Sequence, residues 1–310
     1  MAATVARPAL AQDGYPSQPV RIVVPFAAGS TTDLRARIFA DRMSADWKQP
    51  VIVDNRGGAN GFIAAEMVAR AKPDGYTVLF GSNTLFVTNP AMFRKLPYDP
   101  VGDFAPVTLM SVSPMVVLVN NNFPARSVEE FIAYAKAHPG QLNFASGNGS
   151  SRGGGELFRS MAGIDIVHVG YQSSPQALTA LMAGDVHLLV VDGGAGVPPV
   201  KDGLLRCIAT TGRERTGVLP DVPTVAESGV PGYEFSSWTA VFVPRGLPGA
   251  VAAKLHDKIV EIGHRPEIQE RMRADGSVPR FGPPEELAQF IQEDGARWKR
   301  IVAVSGMGEG

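Results

Sequence analysis

The amino-acid sequence predicts an α/β protein built from two doubly wound lobes that are joined by two extended crossings. Three observations support this prediction. Short apolar runs alternate with helical patterns, glycine and proline mark the turns between them, and two longer apolar segments interrupt the alternation. The 310 residues include 34 glycines and 25 prolines, which are spread along the chain as many short turns between strands and helices require.

The first part of the chain contains three strands. These are predicted at 20–26, 51–53 and 76–80. A helix follows the first strand and runs to about Ala45, with Thr31, Thr32 or Asp33 as its cap. A second helix carries a small apolar face, and Pro73-Asp74-Gly75 ends it and turns the chain into the third strand.

Beyond residue 120 the alternation resumes. Helices are predicted at 127–136, 155–161 and 175–183, and strands at 142–145, 166–169, 187–191 and 206–209. Ser127 and Glu130 form a capping box for the first of these helices. The chain ends in three helices with proline at or near the first turn, at 248–262, 266–274 and 284–304.

Two extended segments, 107–119 and 238–244, are predicted to cross between the lobes. They give a discontinuous first lobe, 15–110 with 238–310, and a second lobe, 111–237. Two lobes joined in this way are typical of hinged binding proteins, in which the ligand lies in the cleft and closure is a hinge motion. A single large doubly wound domain would produce much the same pattern.

Residues 1–14 are predicted to lie outside the fold. Ala9-Leu10-Ala11-Gln12 is similar to the small-residue end of a secretory signal peptide, although the apolar core that should precede it is missing. We interpret this segment as the remnant of a signal peptide, which predicts a periplasmic location; the alternative is a plain disordered tail.

Composition excludes several classes of function. A formal net charge of -1 gives no basic surface for nucleic acid, and no apolar run is long enough to span a bilayer. Cys207 is the only cysteine, so an intrachain disulfide is impossible. No cysteine or histidine has the spacing of metal ligands, and we expect neither a metal nor a cofactor.

Three loops follow predicted strands and are rich in glycine or hydroxyl groups. They are 27–33, 55–61 and 81–84. Glycine leaves backbone amides uncovered at the start of a helix, and ligands of open α/β sheets bind at the carboxyl ends of the strands. The sequence therefore predicts a ligand site at these loops.

Four segments carry a resemblance to a known family. They are 55–77, 96–107, 219–229 and 238–248, with Asn55-Arg56-Gly57-Gly58-Ala59-Asn60-Gly61 and Pro73-Asp74-Gly75-Tyr76-Thr77 as the most informative parts. Together they resemble the solute-binding proteins of tripartite tricarboxylate transporters, the Bug-type receptors, over about 15–305. The resemblance implies a two-lobed periplasmic binding protein of type II-like architecture.

The resemblance also implies ligand residues in the first lobe. The family's first ligand loop is P-F-x-x-G-G-x-x-D, and this chain has Ser30 in place of the second glycine. Asp33 is retained, as a helix cap or as a ligand contact. The implied ligand residues of this lobe are Phe26, Ala27, Gly29, Ser30, Thr31, Asp33, Ser82, Asn83 and Thr84.

In the second lobe, Ser146-Gly147-Asn148-Gly149-Ser150-Ser151 resembles the family's S-x-G-x-G-S loop. Arg152 follows it, facing either a second carboxylate or solvent. Tyr171-Gln172-Ser173 replaces the family's Y-K-G, and Asp192 matches an acidic position that can receive an ammonium in amino-acid binders. The implied ligand residues are Ser146, Asn148, Gly149, Ser150, Ser151, Arg152, Tyr171, Ser173, Ser174 and Asp192.

The resemblance implies a monomeric receptor and not an enzyme. It would bind a di- or tricarboxylate, an aromatic acid or an amino acid and deliver it to membrane permease subunits, with no nucleic-acid partner. One alternative is a serine hydrolase, because 149–153 matches G-x-S-x-G and His256 or His264 could complete a triad. Another is a sensor that docks on a membrane kinase.

Overall fold

The computed structural model of the protein describes residues 14–308, so the predicted signal remnant lies, apart from Gly14, outside the described residues. The strands are β1 (Val20–Val24), β2 (Val51–Asn55), β3 (Thr77–Ser82), β4 (Phe104–Asn120), β5 (Leu142–Ser146), β6 (Ile166–Gly170), β7 (Leu188–Asp192), β8 (Leu205–Thr210), β9 (Ser236–Pro244) and β10 (Val278–Pro279). The helices are α1 (Thr31–Trp47), α2 (Phe62–Ala69), α3 (Asn89–Met92), α4 (Val128–Ala137), α5 (Gly149–Ala162), α6 (Ser174–Ala183), α7 (Gly193–Lys201), α8 (Gly249–Gly263), α9 (Pro266–Arg273) and α10 (Pro284–Ser305). A π-helical turn, Thr84–Thr88, leads into α3.

The strands form one sheet for each lobe. In the first lobe the order is β2-β1-β3-β9-β4-β10, with β1 parallel to β2 and β3 and with β9 antiparallel to β3. In the second lobe β4 lies between β8 and β7, and β5 and β6 follow in parallel to β7. The predicted α/β class with two doubly wound lobes is confirmed.

Strand β4 belongs to both sheets. Residues 104–114 pair with β9 in the first lobe, and residues 115–120 pair with β7 and β8 in the second. Pro114 lies where the partner strands change, opposite Ser236 of β9, and as a proline it has no N–H to donate to a ladder. The next amide, that of Met115, donates to the Thr211 hydroxyl at 2.7 Å. The first predicted crossing is therefore one continuous strand.

The segment predicted as the second crossing lies within a strand of the first sheet. The segment 238–244 is extended, but it belongs to β9, which pairs in the first sheet along its whole length, from Ser236 to Pro244. The chain has therefore re-entered the first lobe by Ser236. An apolar extended run predicts a strand without identifying its neighbours, and the lobe boundaries given above stay a prediction.

Helix α10 contacts both lobes. Trp238 of β9 donates its indole N–H to Asp294 of α10 at 2.7 Å. Farther along α10, Trp298 packs edge-to-face on Phe235, with ring centroids 5.5 Å apart, and the Val304 carbonyl accepts from Ser160 of α5 at 3.1 Å. The final helix thus closes an apolar core that continues from one lobe into the other. Within residues 14–308, no helix has both the length and the apolarity needed to cross a membrane.

Candidate functional site

A cavity of about 460 Å³ lies between the lobes, at the carboxyl ends of β1, β2, β5 and β6. This position follows the general rule for open α/β sheets. The first lobe contributes Pro25, Phe26, Ala27, Ser30, Gly58, Asn60, Gly61 and Met92 to its lining. The second lobe contributes Ser146, Gly147, Asn148, Gly149, Arg152, His168, Gly170, Tyr171, Gln172, Ser173 and Ser174. We call this space the main cavity.

Four helices begin at the main cavity. Ser30 caps α1, Asn148 caps α5 and Ser173 caps α6; their side-chain oxygens accept from backbone amides at 3.3, 2.8 and 3.4 Å. Helix α2 begins after Gly61, which has no side chain to cap it. Each helix N-terminus carries a partial positive charge and unpaired amides, so their convergence favours an anion.

Arg152 strengthens this preference. Among the described residues that line the main cavity, it is the only one with a permanent charge. Its side chain is 29% exposed, and its buried Nε has no hydrogen-bond partner within residues 14–308. Glu156 lies 3.9 Å from that Nε but accepts a closer bond, at 2.9 Å, from Arg159. Arg152 is therefore available to an anion in the main cavity.

A second, much smaller cavity of about 20 Å³ lies beside the main cavity, and Phe26, Ser30 and Asn148 line both. Its other lining residues are Thr31, Thr32, Arg35, Ser82, Asn83, Ser113, Ser150, Asp192, Ser237, Trp238 and Thr239. We call it the inner cavity. Its volume suffices for about one water molecule and not for a ligand of several atoms.

Buried Arg35 forms one wall of the inner cavity. Its guanidinium donates to the Thr239 hydroxyl at 2.7 Å and to Ser111, and it pairs with Asp275 at 3.3 Å. The hydroxyls of β4 and β9 and a carboxylate of the first lobe thus bind the two terminal nitrogens of this buried charge, while its Nε makes no hydrogen bond within residues 14–308. Arg35 is held by its own lobe and acts as a fixed positive charge beneath the cleft.

Asp192 lies in the inner cavity and does not line the main cavity. It accepts a hydrogen bond from the Ser237 hydroxyl of β9, across the lobes. Burial raises the pKa of its carboxyl, and Ser237 and Arg35 oppose this effect only in part. The predicted role of Asp192 as an ammonium receptor stays a prediction, but its observed contact is with a hydroxyl of the other lobe.

Four of the residues named from the sequence line neither cavity: Gly29, Asp33, Thr84 and Ser151. Asp33 is buried and accepts from the Gly29 amide and the Asn55 side chain, both at 2.9 Å. Although burial opposes the shift, these bonds and that of Arg37 lower the pKa of Asp33. Its carboxylate therefore holds the loop after β1 in place. Thr84 lies 3.4 Å from Ser150, hydroxyl to hydroxyl, where the lobes meet.

The geometry contradicts the nucleophile elbow of the hydrolase alternative. Ser151 lies inside the first turn of α5, fully buried, and its hydroxyl donates to the Val190 carbonyl. His256 contacts Asp257 and the Gly282 carbonyl, and His264 contacts the Val260 carbonyl. The G-x-S-x-G match reflects a glycine-rich helix start. Within residues 14–308, no three His, Cys, Asp or Glu side chains form a metal-binding group.

The sequence reasoning missed several lining residues. Asn60 and Gly61 belong to a glycine-rich turn whose free amides were noted, so a signal for them existed. His168 shares a strand face with Ile166 and lies near the carboxyl end of β6, which is a weaker signal. Nothing in the sequence identified Arg35 as a cavity residue, because arginine on a helix is usually exposed.

Comparison with known proteins agrees with this architecture. Residues 35–307 match the family model described as "Tripartite tricarboxylate transporter family receptor". Rpa4515 from R. palustris with adipate is 34% identical over 94% of this chain and 98% of that chain, with a TM-score of 0.91. Periplasmic binding protein BugD is 30% identical over 96% of this chain and 100% of that chain, with a TM-score of 0.90. MatC from Rhodopseudomonas palustris with bound malate is 34% identical over 93% of this chain and 100% of that chain, with a TM-score of 0.88.

BugD is a periplasmic binding protein, Rpa4515 and MatC contain adipate and malate, and the likeness of each to this chain covers nearly its whole length. The family match spans both lobes, including β4, α10 and the loops after β2, β5 and β6 that line the main cavity, while the loop after β1 precedes it. The resemblance that the sequence motifs carried is therefore confirmed. The chain belongs to the tripartite tricarboxylate transporter receptor family, as a solute receptor of the Bug type.

Proposed function

We propose that the protein is an extracytoplasmic receptor that binds a small carboxylate in the main cavity and delivers it to the membrane subunits of a tripartite tricarboxylate-type transporter. The observation that carries this proposal is the convergence of four helix N-termini and Arg152 on a cavity that no described acidic side chain lines. A carboxylate accepts several hydrogen bonds and carries the charge that helix N-termini and arginine favour.

The relatives support this ligand class and the compartment. The structures of Rpa4515 and MatC contain adipate and malate, and BugD is a periplasmic binding protein. A volume of about 460 Å³ lies within the usual range for small-molecule sites, and a cavity that offers both helix N-termini and the guanidinium of Arg152 suits an acid with two carboxylates. We therefore place a C4–C6 dicarboxylate first among the candidate ligands.

Calorimetry against mono-, di- and tricarboxylates, aromatic acids and amino acids tests the proposal. We expect one dicarboxylate to bind per chain with a micromolar dissociation constant or better, which corresponds to roughly 8 kcal/mol. The same acid should raise the melting temperature, since it binds only the folded protein. Chromatography of the mixture should recover the acid unchanged. Conversion of the acid, or binding by none of them, would contradict the proposal.

Ser30 offers a test of selectivity. It lines both cavities and caps α1, and glycine is nearly as good a helix cap as serine. We expect Ser30→Gly to change the relative affinities for different acids, while the free energy of unfolding without ligand falls by only about a few tenths of a kcal/mol.

Ser127→Gly is the matched control for Ser30→Gly. Ser127 caps α4 in the same way, with its hydroxyl 3.2 Å from the Glu130 amide, and it does not line the main cavity. It should change neither selectivity nor affinity. An identical affinity profile for Ser30→Gly and the unmodified protein would place Ser30 outside the ligand contacts.

A further inference from the structure

Ser146 and His168 lie side by side in the wall of the main cavity. Ser146 ends β5 and His168 lies on the neighbouring parallel strand β6, where the register pairs Phe144 with His168. The Ser146 hydroxyl is 2.7 Å from Nε2 of His168, and the imidazole packs on Phe144 with ring centroids 5.1 Å apart. Both the hydroxyl and the ring are therefore held in place at the edge of the ligand space.

One proton lies between the Ser146 hydroxyl oxygen and Nε2 of His168. Which of these two atoms carries that proton decides whether Ser146 can donate a hydrogen bond to a ligand in the cavity. If the hydroxyl donates to Nε2, the Ser146 oxygen offers the cavity only lone pairs, which repel a carboxylate. If Nε2 carries the proton and donates, the hydroxyl proton is free to point into the cavity. An ionised carboxylate only accepts hydrogen bonds, so it is compatible with the second arrangement alone.

His168 is compatible with both directions of this hydrogen bond at neutral pH. Burial, together with the positive charges of Arg152 and Arg159, lowers the pKa of His168 to about 4, so the ring is neutral and carries its proton on one nitrogen. Within residues 14–308, Nε2 is the only ring nitrogen that makes a hydrogen bond, so no partner on Nδ1 fixes the tautomer. The ligand bound in the main cavity therefore determines which tautomer of His168 is present.

We propose that His168 is a specificity-determining residue that, by donating from Nε2, makes the Ser146 hydroxyl a hydrogen-bond donor to a carboxylate of the ligand. This inference rests on the proposed function and deepens it. His168 acts through Ser146, because its own Nε2 proton is used in the bond to the serine oxygen. Selectivity for an anionic group at this wall thus depends on a neutral pair.

A double-mutant cycle tests the dependence of one residue on the other. Adipate and malate are titrated by calorimetry into the unmodified protein, Ser146→Ala, His168→Phe and the double variant. We expect each single change to weaken the better of the two ligands by about tenfold, the value of one hydrogen bond to a charged group. The double variant should be no weaker than Ser146→Ala, because His168 has no role without the serine.

His187→Phe is the matched control. His187 is also half-buried at a strand, and its Nδ1 lies 2.9 Å from the Asn143 side chain at the opposite end of β5, away from the main cavity. We expect it to leave affinity unchanged. Melting curves without ligand separate loss of binding from loss of folding. Additive losses in the double variant, or a loss for His187→Phe equal to that for His168→Phe, would overturn the inference.

Nitrogen-15 spectra of the histidine rings give an independent readout. In the complex, His168 should carry its proton on Nε2, and in the Ser146→Ala variant the ligand should no longer select that tautomer. A proton on Nδ1 in the complex would overturn the inference while leaving carboxylate binding intact. Failure of the unmodified protein to bind any acid would instead overturn the proposed function, and this inference with it.

Discussion

Replacing Arg152 with alanine is expected to weaken the binding of a dicarboxylate such as adipate by about ten- to a hundred-fold, and the binding of the matching monocarboxylate far less. One carboxylate of a diacid can bind the helix N-termini of one lobe, which leaves the second in need of a partner. Arg152 offers two parallel hydrogen bonds, and a charge-assisted bond contributes about 1.5–3 kcal/mol. A monocarboxylate has no second carboxylate that could bind Arg152, so the variant removes no such interaction from it.

The measurement is calorimetry with adipate and hexanoate against the unmodified protein and the variant. Arg213→Ala is the control, because Arg213 also belongs to the second lobe, pairs with Glu234 at 3.1 Å and does not line the main cavity. It should change both affinities little. If Arg152→Ala weakens both acids equally, or neither of them, Arg152 does not receive the second carboxylate.

The sequence predicts most strands and helices because their apolar residues recur at the right period and their turns contain glycine or proline. The loop after β1 and the glycine-rich turn after β2 were located for this reason, and both line the main cavity. The strand order was not predictable, since a periodic pattern identifies a strand and not its neighbours. The sequence indicated a crossing at 107–119, but the pairing of β4 with both sheets and the position of β9 came only from the structure.

Helices α5 and α7 were missed in part and in whole because their sequences argue against helix. Helix α5 begins at Gly149, before three consecutive glycines, although glycine disfavours helix. A Cβ at Gly153 would lie 2.3 Å from Trp298, and one at Gly155 would lie 2.4 Å from Phe144, so tertiary packing requires these glycines. Helix α7 contains Pro198 and Pro199, which usually end a helix.

The residues of the candidate site were also only partly predictable from the sequence. Residues on loops at strand ends were named, but His168 lies within a strand and Arg35 lies within a helix. What brings them to the two cavities is the juxtaposition of lobes and the pairing of β5 with β6, which depend on contacts between distant parts of the chain. Single-residue patterns do not contain this information.

The start of α7 makes a close contact with the first lobe. Gly193 follows β7 in the second lobe, and a Cβ built on it would lie 2.0 Å from the carbonyl oxygen of Asp275. Asp275 precedes β10, which pairs with β4 in the first sheet. A Cβ on the next residue, Gly194, would lie 2.7 Å from Thr31 at the start of α1. Backbone therefore meets backbone here, and the lobes can approach this closely only because no side chain intervenes.

We expect Gly193→Ala to weaken ligand binding by at least about tenfold, because the added methyl group would hold the lobes apart and the contacts of a closed cleft would be lost. Since Gly193 does not have the left-handed backbone conformation, alanine should cause no strain within the second lobe itself.

Gly249→Ala is the matched control: Gly249 also begins a helix, and a Cβ there would meet nothing within 4 Å. Small-angle scattering should show the unmodified protein and Gly249→Ala becoming more compact with a saturating diacid, and Gly193→Ala remaining extended. Unchanged affinity and compaction in Gly193→Ala would show that ligand binding does not require the lobes to meet at this point.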